Sequence, residues 1–540
     1  MSKCSMSWES RYSMPRHPVV SKRGMVATSQ PTAAQAGISI MEKGGNAIDA
    51  AIATAAALTV VEPTCNGLGG DAFAIIYSNG KIKALNGSGP SPASISLEEV
   101  KKRGFDQMPL FGWESVTVPG VVASWAALAK EYGKLPLSET LKPAIKLAKE
   151  GFAVPPNLAS LWQRAHSIYA PQLKGEMFDW WYKTFIPNGK IPKCLEVVKF
   201  LDHARSLELI AQTDGEDFYK GEIAQRIDDF SSKYGGFLRK EDLKRYKVQW
   251  VDPIKANYRG YEIWEVPPNT QGIATLMALN ILSEYKAEDA KLNNEHFVHW
   301  MIESIKLSMV DAAHYVTDPT MMKVSTHQML SSSWANYQRD LIREQAIDPT
   351  PYKPVAGGTV YLATADDQGN MVSYIQSNYE DFGSALVVPG TGIALQDRGA
   401  NFFLDENHHN VLAPNKKTYH TIIPGFITKD SESIGPFGVM GGFNQPQGHL
   451  QVVSNLIDNQ LNPQAALDAP RWRWLEGKDL LIESHYPLHI AKALSARGHN
   501  IKTSMDLEMF GRGQIIWRDL KNNTFIGGTE SRTDSLIAVL

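Results

Sequence analysis

Near residue 340 the sequence stops reading as helices and starts reading as strands. The stretch Arg343–Gly358 is polar and carries prolines. Beyond it, Thr359–Ala365 (TVYLATA) and Met371–Gln376 (MVSYIQ) flank the turn Asp366-Asp367-Gln368-Gly369-Asn370. Two β-like runs around a Gly/Asn turn predict a hairpin. Such a chain joins a helix-rich first part to a sheet-rich last third. The balance is α+β or α/β, and no internal repeat or low-complexity tract interrupts it.

Upstream, Gly44-Gly45-Asn46 is a turn that opens a helix ending near Glu62-Pro63. The glycine-rich turn Gly67–Asp71 leads into an apolar strand, Ala72–Tyr77. Two helical segments are expected between Pro119 and Lys149, and mainly helices across 155–245. Tyr258–Val266 reads as one strand stopped by Pro267-Pro268. Residues 294–316 read as a helix with Phe297, Met301, Ile305, Met309 and Ala312 on one face. A further helix is expected over Gly448–Gln460, and short strands from about residue 480 onward. Residues 1–24 are polar and irregular and read as a loose arm. The division that results is an arm (1–24), a first region (25–358) and a second region (359–540).

Composition narrows the partners. With 43% hydrophobic and 21% charged residues the chain has the make-up of a soluble globular protein. A net charge of −3 argues against nucleic acid or an anionic membrane as the main partner. Cys4, Cys65 and Cys194 are too few and too far apart for a disulfide framework or a zinc site. The first residues hold no continuous apolar stretch of the kind a secretory signal needs. The most apolar window, Ala47–Val61, is short for a bilayer and carries Asp49, so it reads as a buried helix. A cytoplasmic protein is the expectation.

Chemistry concentrates at Gly357-Gly358-Thr359, the mouth of the first hairpin strand. Glycines allow strained backbone, and a strained peptide bond before a hydroxyl residue can rearrange to an ester and hydrolyse. The new N-terminal threonine would carry an α-amine of pKa about 7.7–8.0, able to take the proton of its own Oγ. The same tripeptide also reads as a plain turn entering a strand, and taken alone that is the commoner reading. Gly67–Gly70 lacks the following Lys-Ser/Thr of a phosphate cradle, and the adjacent pair His408-His409 lacks further ligands for a metal.

Several blocks in one order tip the balance. Met41–Gly70 (MEKGGNAIDAAIATAAALTVVEPTCNGLGG), Val116–Trp125, Leu141–Phe152, Asp217–Gly221, Gly235–Tyr246 and Tyr258–Gly272 resemble gamma-glutamyltranspeptidases. So do Thr359–Asn370, Phe382-Gly383-Ser384 and Gly441-Gly442. The resemblance runs from about residue 15 to the C-terminus. It implies a four-layer αββα N-terminal-nucleophile fold, cut before Thr359 into chains 1–358 and 359–540 that stay in one body. It further implies Thr359 as nucleophile, Ser377 as the hydroxyl that holds it, and the Gly441 and Gly442 N–H groups as the oxyanion hole. No cofactor and no metal are called for. The implied substrate is a small gamma-glutamyl or related acyl amide, and the acceptor an amine or water.

The resemblance breaks at the acyl pocket. Asn86 stands where the family has an arginine, Tyr379 where it has an asparagine, and Asn401 where it has an aspartate. His420-Thr421 takes the place of a serine pair. An amide does not replace a bidentate guanidinium, so a zwitterionic acyl group loses both fixed anchors. Arg398, in the loop of the lost aspartate, is the candidate replacement, and His420 a candidate donor to an acyl carboxylate. The runs YHTIIPGF and QPQGH resemble a divergent branch that includes transpeptidase-like proteins and relatives of cephalosporin acylases. The short segment Phe403–Lys417 reads as a reduced pocket cover, which favours water as acceptor. Two alternatives accompany the glutamyl reading: an acylase for other dicarboxylate amides, and a catalytically silent member with a binding role.

Overall fold

The computed structural model describes residues 16–349 and 358–540. Gly357, Cys4 and most of the expected arm lie outside the described residues. Fourteen strands form two seven-stranded sheets. In chain order they are β1 (Val19–Ser21), β2 (Gly24–Thr28), β3 (Asp71–Ser78), β4 (Lys81–Gly87), β5 (Gln249–Val251), β6 (Ile254–Tyr258) and β7 (Tyr261–Glu265). They continue with β8 (Gly358–Asp366), β9 (Met371–Tyr379), β10 (Gly425–Lys429), β11 (Glu432–Met440), β12 (Arg512–Asp519), β13 (Thr524–Thr529) and β14 (Leu536–Val539). One sheet runs β14-β2-β8-β9-β3-β4-β5, the other β1-β13-β12-β11-β10-β7-β6. Neighbours pair antiparallel throughout, and each sheet draws strands from both sides of the Gly358–Thr359 bond.

Alternation along the strands builds the layers. In the first sheet Tyr361, Ala363, Ile375, Phe73 and Ile75 face Phe426, Met440 and Ile516 of the second, forming the core between sheets. The intervening Val360, Leu362, Val372 and Ala74 face helices, notably α1 (Pro31–Glu42) and α2 (Ala47–Val61). On the far side of the second sheet, Ile263, Ile427, Phe437 and Val439 pack on α3 (Gly272–Leu282), α4 (Glu295–Tyr315) and α5 (Gln445–Ile457). The result is helix, sheet, sheet, helix: the αββα sandwich. Among the described residues no helix is long and apolar enough to cross a membrane.

α2 shows why sequence gives this packing. Asn46 caps it in a reciprocal box with Asp49. Every residue of the helix is buried, and its run of alanines lets it lie close on the sheet. Thr364 Oγ1 of β8 donates to the Ala47 carbonyl at 2.7 Å, and Asp366 Oδ2 accepts from Ala47 N–H at 2.8 Å. The helix is thereby fastened to the strand that carries Thr359.

Some expectations need correction. Tyr258–Val266 is not one strand but the end of β6 and all of β7, reversed at Arg259 and Gly260 with φ of 53° and 82°. Arginine is a poor turn signal; here its guanidinium holds Asp458 and the Ser283 and Tyr285 carbonyls. The sheet begins at Val19, inside the stretch expected as an arm. α5 opens at Gln445 and stops at Ile457, and the C-terminal region includes a helix, Leu488–Ala496. Phe403–Lys417 is anchored: Leu404 and Leu412 are buried with Ile95 and Leu97, and Lys416 Nζ donates to the His409 and Val411 carbonyls.

Candidate active site

Thr359 lies on β8, a central strand, and is 1% exposed. The β8–β9 ladder is irregular at this point. Gly358 pairs with Tyr379 and Val360 with Gln376, so Thr359 stands opposite both Ser377 and Asn378. A bulge of this kind re-aims side chains. Thr359 Oγ1 donates to Ser377 Oγ at 3.3 Å, and Ser377 Oγ donates to the Gly358 carbonyl at 2.6 Å. Thus one hydroxyl links the threonine oxygen to the carbonyl of the preceding peptide. The glycine-rich turn packs on the same bulge: a Cβ on Gly70 would meet the Ser377 carbonyl oxygen at 2.4 Å. Those glycines serve close backbone approach.

After Ser377 the backbone is strained. Tyr379 has φ of 83°, a left-handed conformation that costs a side-chain-bearing residue roughly 1–3 kcal/mol. Its N–H donates to Ser377 Oγ at 2.8 Å, and the Arg398 guanidinium lies 4.3 Å above its ring. Tyr379 therefore forms the floor under Arg398. Arg398 is fully buried and donates through Nη1 to Thr421 Oγ1 at 2.7 Å and through Nη2 to Ser377 Oγ at 3.4 Å. Arg398, Thr421, Tyr379, Ser377 and Thr359 are thus one contact group.

His420 and Asn86 are placed otherwise than expected. Asp71 sits directly across from Ser377 in the β9–β3 pairing. His420 Nε2 bonds Asp71 Oδ2 at 3.0 Å, and its Nδ1 accepts from Ile422 N–H at 3.4 Å. With both ring nitrogens used, His420 holds Asp71 in place and is not free as a donor to an acyl group. Burial holds the imidazole neutral, and burial pushes the Asp71 carboxyl up to about 7 against the pull of Arg398. Asn86 Oδ1 accepts from Ser88 and from Lys417 Nζ at 3.2 Å, while its Nδ2 donates to Asn269 Oδ1 at 2.9 Å. That amide is consumed internally, in contact with a lysine no sequence signal marked. Asn401 closes the turn that Arg398 opens, and its Nδ2 is sealed from solvent without a partner.

Gly441 and Gly442 follow β11 with φ of 142° and 58°, conformations that favour glycine. Neither N–H donates within the fold among the described residues. Gln271 binds this loop to the site: its Nε2 donates to the Gly442 carbonyl at 2.9 Å and also to the Thr421 carbonyl. From the other side Arg512 reaches Met440 Sδ at 3.3 Å, Glu62 Oε1 at 3.5 Å and Cys65 Sγ at 3.6 Å.

Sequence reasoning missed Asp71, Gln271, Lys417 and Arg512. Asp71 left a trace, a charge opening an otherwise apolar strand; the other three act through contacts distant in sequence. One cluster among the described residues has metal-ligand spacing: His299, Glu303 and His499, with ligand atoms within 4.8 Å of one another. Each of the three already takes part in hydrogen bonds within the fold. Lys306 Nζ donates to Glu303 at 2.8 Å, and the His299–His499 pair at 2.9 Å ends on the Arg343 carbonyl. Two surface depressions, around Trp180 and Arg226 and around Arg259 and Asp458, include none of the site residues built around Thr359.

Comparison with known proteins finds relatives along nearly the whole chain. The gamma-glutamyltranspeptidase family model matches residues 33–540. The chain is 35% identical over 525 residues to the glutathione hydrolase-like YwrD proenzyme of Bacillus subtilis, covering 96% of this chain and 98% of that protein. It is 32% identical over 507 residues to the Acylase ACY 1 proenzyme of a Pseudomonas species, covering 91% and 89%. The crystal structure of a cephalosporin acylase from Bacillus halodurans matches with a TM-score of 0.97 and 52% identity, covering 100% of this chain and 99% of that one.

Proposed function

The chain belongs to the gamma-glutamyltranspeptidase family, and on that footing we propose that it cuts itself before Thr359 and then transfers acyl groups from amides through that threonine. The observation that carries the reading is the Ser377 hydroxyl, which bonds both Thr359 Oγ1 and the Gly358 carbonyl.

In self-cleavage Thr359 Oγ attacks the Gly358 carbonyl carbon through a five-membered ring. The Thr359 hydroxyl proton passes to Ser377, and the Ser377 proton to the Gly358 oxygen as charge develops there. The C–N bond then breaks, its nitrogen takes the proton from the ring hydroxyl, and an ester remains. Water hydrolyses the ester, leaving a carboxylate on Gly358 and a free α-amine on Thr359. The products are chains 1–358 and 359–540.

In turnover that amine is the general base. It takes the Thr359 Oγ proton as Oγ attacks the substrate amide, and the oxyanion meets the unpaired N–H groups of Gly441 and Gly442. The ammonium returns its proton to the leaving amine, and the acyl-threonine ester passes its acyl group to water or to an amine. The acyl groups are short and dicarboxylic, gamma-glutamyl among them. The likeness to the cephalosporin acylase favours a second reading, in which other dicarboxylate amides are the better substrates.

Intact-mass analysis tests the scheme. The wild-type 59.8 kDa chain should resolve into two fragments with Thr359 at a new N-terminus, and Thr359→Ala should stay whole and inactive. A wild-type chain that stays whole, or a Thr359→Ala chain that is cut at the same bond, refutes it.

A further inference from the structure

Gln271 stands immediately before α3, a helix buried along nearly all its length, and is itself fully buried. Its side-chain amide is used at both ends. Oε1 accepts from the Tyr419 hydroxyl at 3.1 Å. Nε2 donates to the Thr421 carbonyl and, at 2.9 Å, to the Gly442 carbonyl. The main-chain N–H of Gln271 donates to the His420 carbonyl at 3.0 Å. Only the NH2 end of an amide can face two carbonyls at once, so this side chain has one orientation.

Two loops of the second region meet on that amide. One, Tyr419–Thr421, reaches Arg398 through Thr421 Oγ1 at 2.7 Å. The other holds Gly441 and Gly442. Tyr419 and Phe443 stack between the loops, with ring centroids 5.8 Å apart and planes 14° apart. A further tie, from Ile423 N–H to Gln445 Oε1 at 2.9 Å, lies wholly within the second region. Gln271 differs in coming from the first region, on a rigid helix end. The glycines, at φ of 142° and 58°, have no side chains to lock their peptide planes. The pose of their loop therefore depends on contacts such as the one at the Gly442 carbonyl.

We infer that Gln271 is a positioning residue for acyl transfer. It fixes the Gly441-Gly442 loop, and the spacing of that loop from Thr421, so that the two glycine N–H groups meet the oxyanion as it forms. Residue 271 precedes the cut while 421 and 442 follow it, so the first fragment shapes the site that the second one carries. This rests on the reading of Thr359 as nucleophile and of the two N–H groups as its oxyanion hole. Self-cleavage, which uses Ser377 at the Gly358 carbonyl, does not draw on Gln271.

The test measures kcat and KM with gamma-glutamyl- or glutaryl-p-nitroanilide, whichever wild type turns over faster. Cutting is followed on denaturing gels, with thermal unfolding in parallel. Gln271→Met keeps the length of the side chain and removes its donors and acceptor. It should be cut to completion, with KM near wild type and kcat lower by roughly 10- to 100-fold, the scale of a small misplacement of catalytic groups. In a Gly441→Ala background the same change should cost much less, because residues acting through one group are not additive. Tyr419→Phe removes the hydroxyl that holds Oε1 and leaves both carbonyl bonds; kcat should fall by about 2- to 10-fold, the range for one neutral hydrogen bond. If Gln271→Met stays whole or unfolds, Tyr419→Phe decides the matter. Wild-type kcat in a folded, cut Gln271→Met, or in Tyr419→Phe, overturns the inference. So does a higher KM at unchanged kcat, or a full, multiplicative loss in the Gly441→Ala background, which would make Gln271 a prop for the fold alone. Failure of the underlying mechanism would look different, with wild type uncut or inactive, or Gly441→Ala as fast as wild type.

Discussion

Ser377→Ala should separate maturation from folding. The hydroxyl it removes donates to the Gly358 carbonyl at 2.6 Å and accepts from Tyr379 N–H at 2.8 Å and Thr359 Oγ1 at 3.3 Å. The carbonyl that must carry negative charge during self-cleavage loses its donor. Loss of one such donor slows acyl transfer by roughly 100- to 1,000-fold. The Gly358 carbonyl and the Tyr379 N–H each lose a buried hydrogen-bond partner, so the fold should weaken by about 1–3 kcal/mol for each group left unsatisfied. The assay is a time course of freshly purified protein on denaturing gels, reading the loss of the 59.8 kDa chain, with thermal unfolding in parallel. Ser377→Thr returns the hydroxyl and should restore cutting. Wild-type cutting speed in Ser377→Ala, or a folded Ser377→Thr that stays whole, would refute the role given to this hydroxyl.

Two other substitutions probe separate parts. Gly441→Ala places a side chain at φ of 142°, with its Cβ 3.2 Å from Gly511 Cα; kcat should fall by about 100-fold while self-cleavage, which relies on Ser377, goes to completion. His203 is buried between Thr59 Oγ1 and the Gly392 carbonyl, and burial pushes its pKa down to about 4 from 6.5. Between those values the unfolded chain binds the proton and the folded one does not, so stability falls as pH drops from 6.5 to 4, by about 3 kcal/mol at most from this group. His203→Gln should flatten that part of the pH profile in urea unfolding; an unchanged slope would contradict the assignment.

How much of this was legible varies with the residue. The β8–β9 hairpin and α2 follow from local signals, a Gly/Asn turn between β-formers and an Asn46 cap before an alanine-rich run. The tilt of the ladder at Thr359 does not, because a bulge depends on what packs behind it, here Gly70 against the Ser377 carbonyl. Thr359 and Ser377 were placed by resemblance, and the structure brings them into contact. For His420 the sequence suggested a donor to substrate; the structure spends both nitrogens on Asp71 and Ile422, a pairing set by the meeting of β3 with a loop far along the chain. Arg259 hid a hairpin because its left-handed backbone is held by distant carbonyls. In each miss, tertiary contacts outweighed the local code.

The two sheets have a consequence for the life of the mature enzyme. Each interleaves strands encoded on either side of residue 358, and β8, headed by Thr359, is clasped by β2 on one flank and β9 on the other. The proposed cut before Thr359 would detach only Gly358 from the β8–β9 ladder, yet it would sever the covalent thread that brought those strands together. Neither fragment owns a whole sheet, and a pair that drifts apart has only a bimolecular search to return by. Longevity after the cut is therefore governed by the rate of first opening, and the precursor gets one chance to assemble what its daughters cannot rebuild alone.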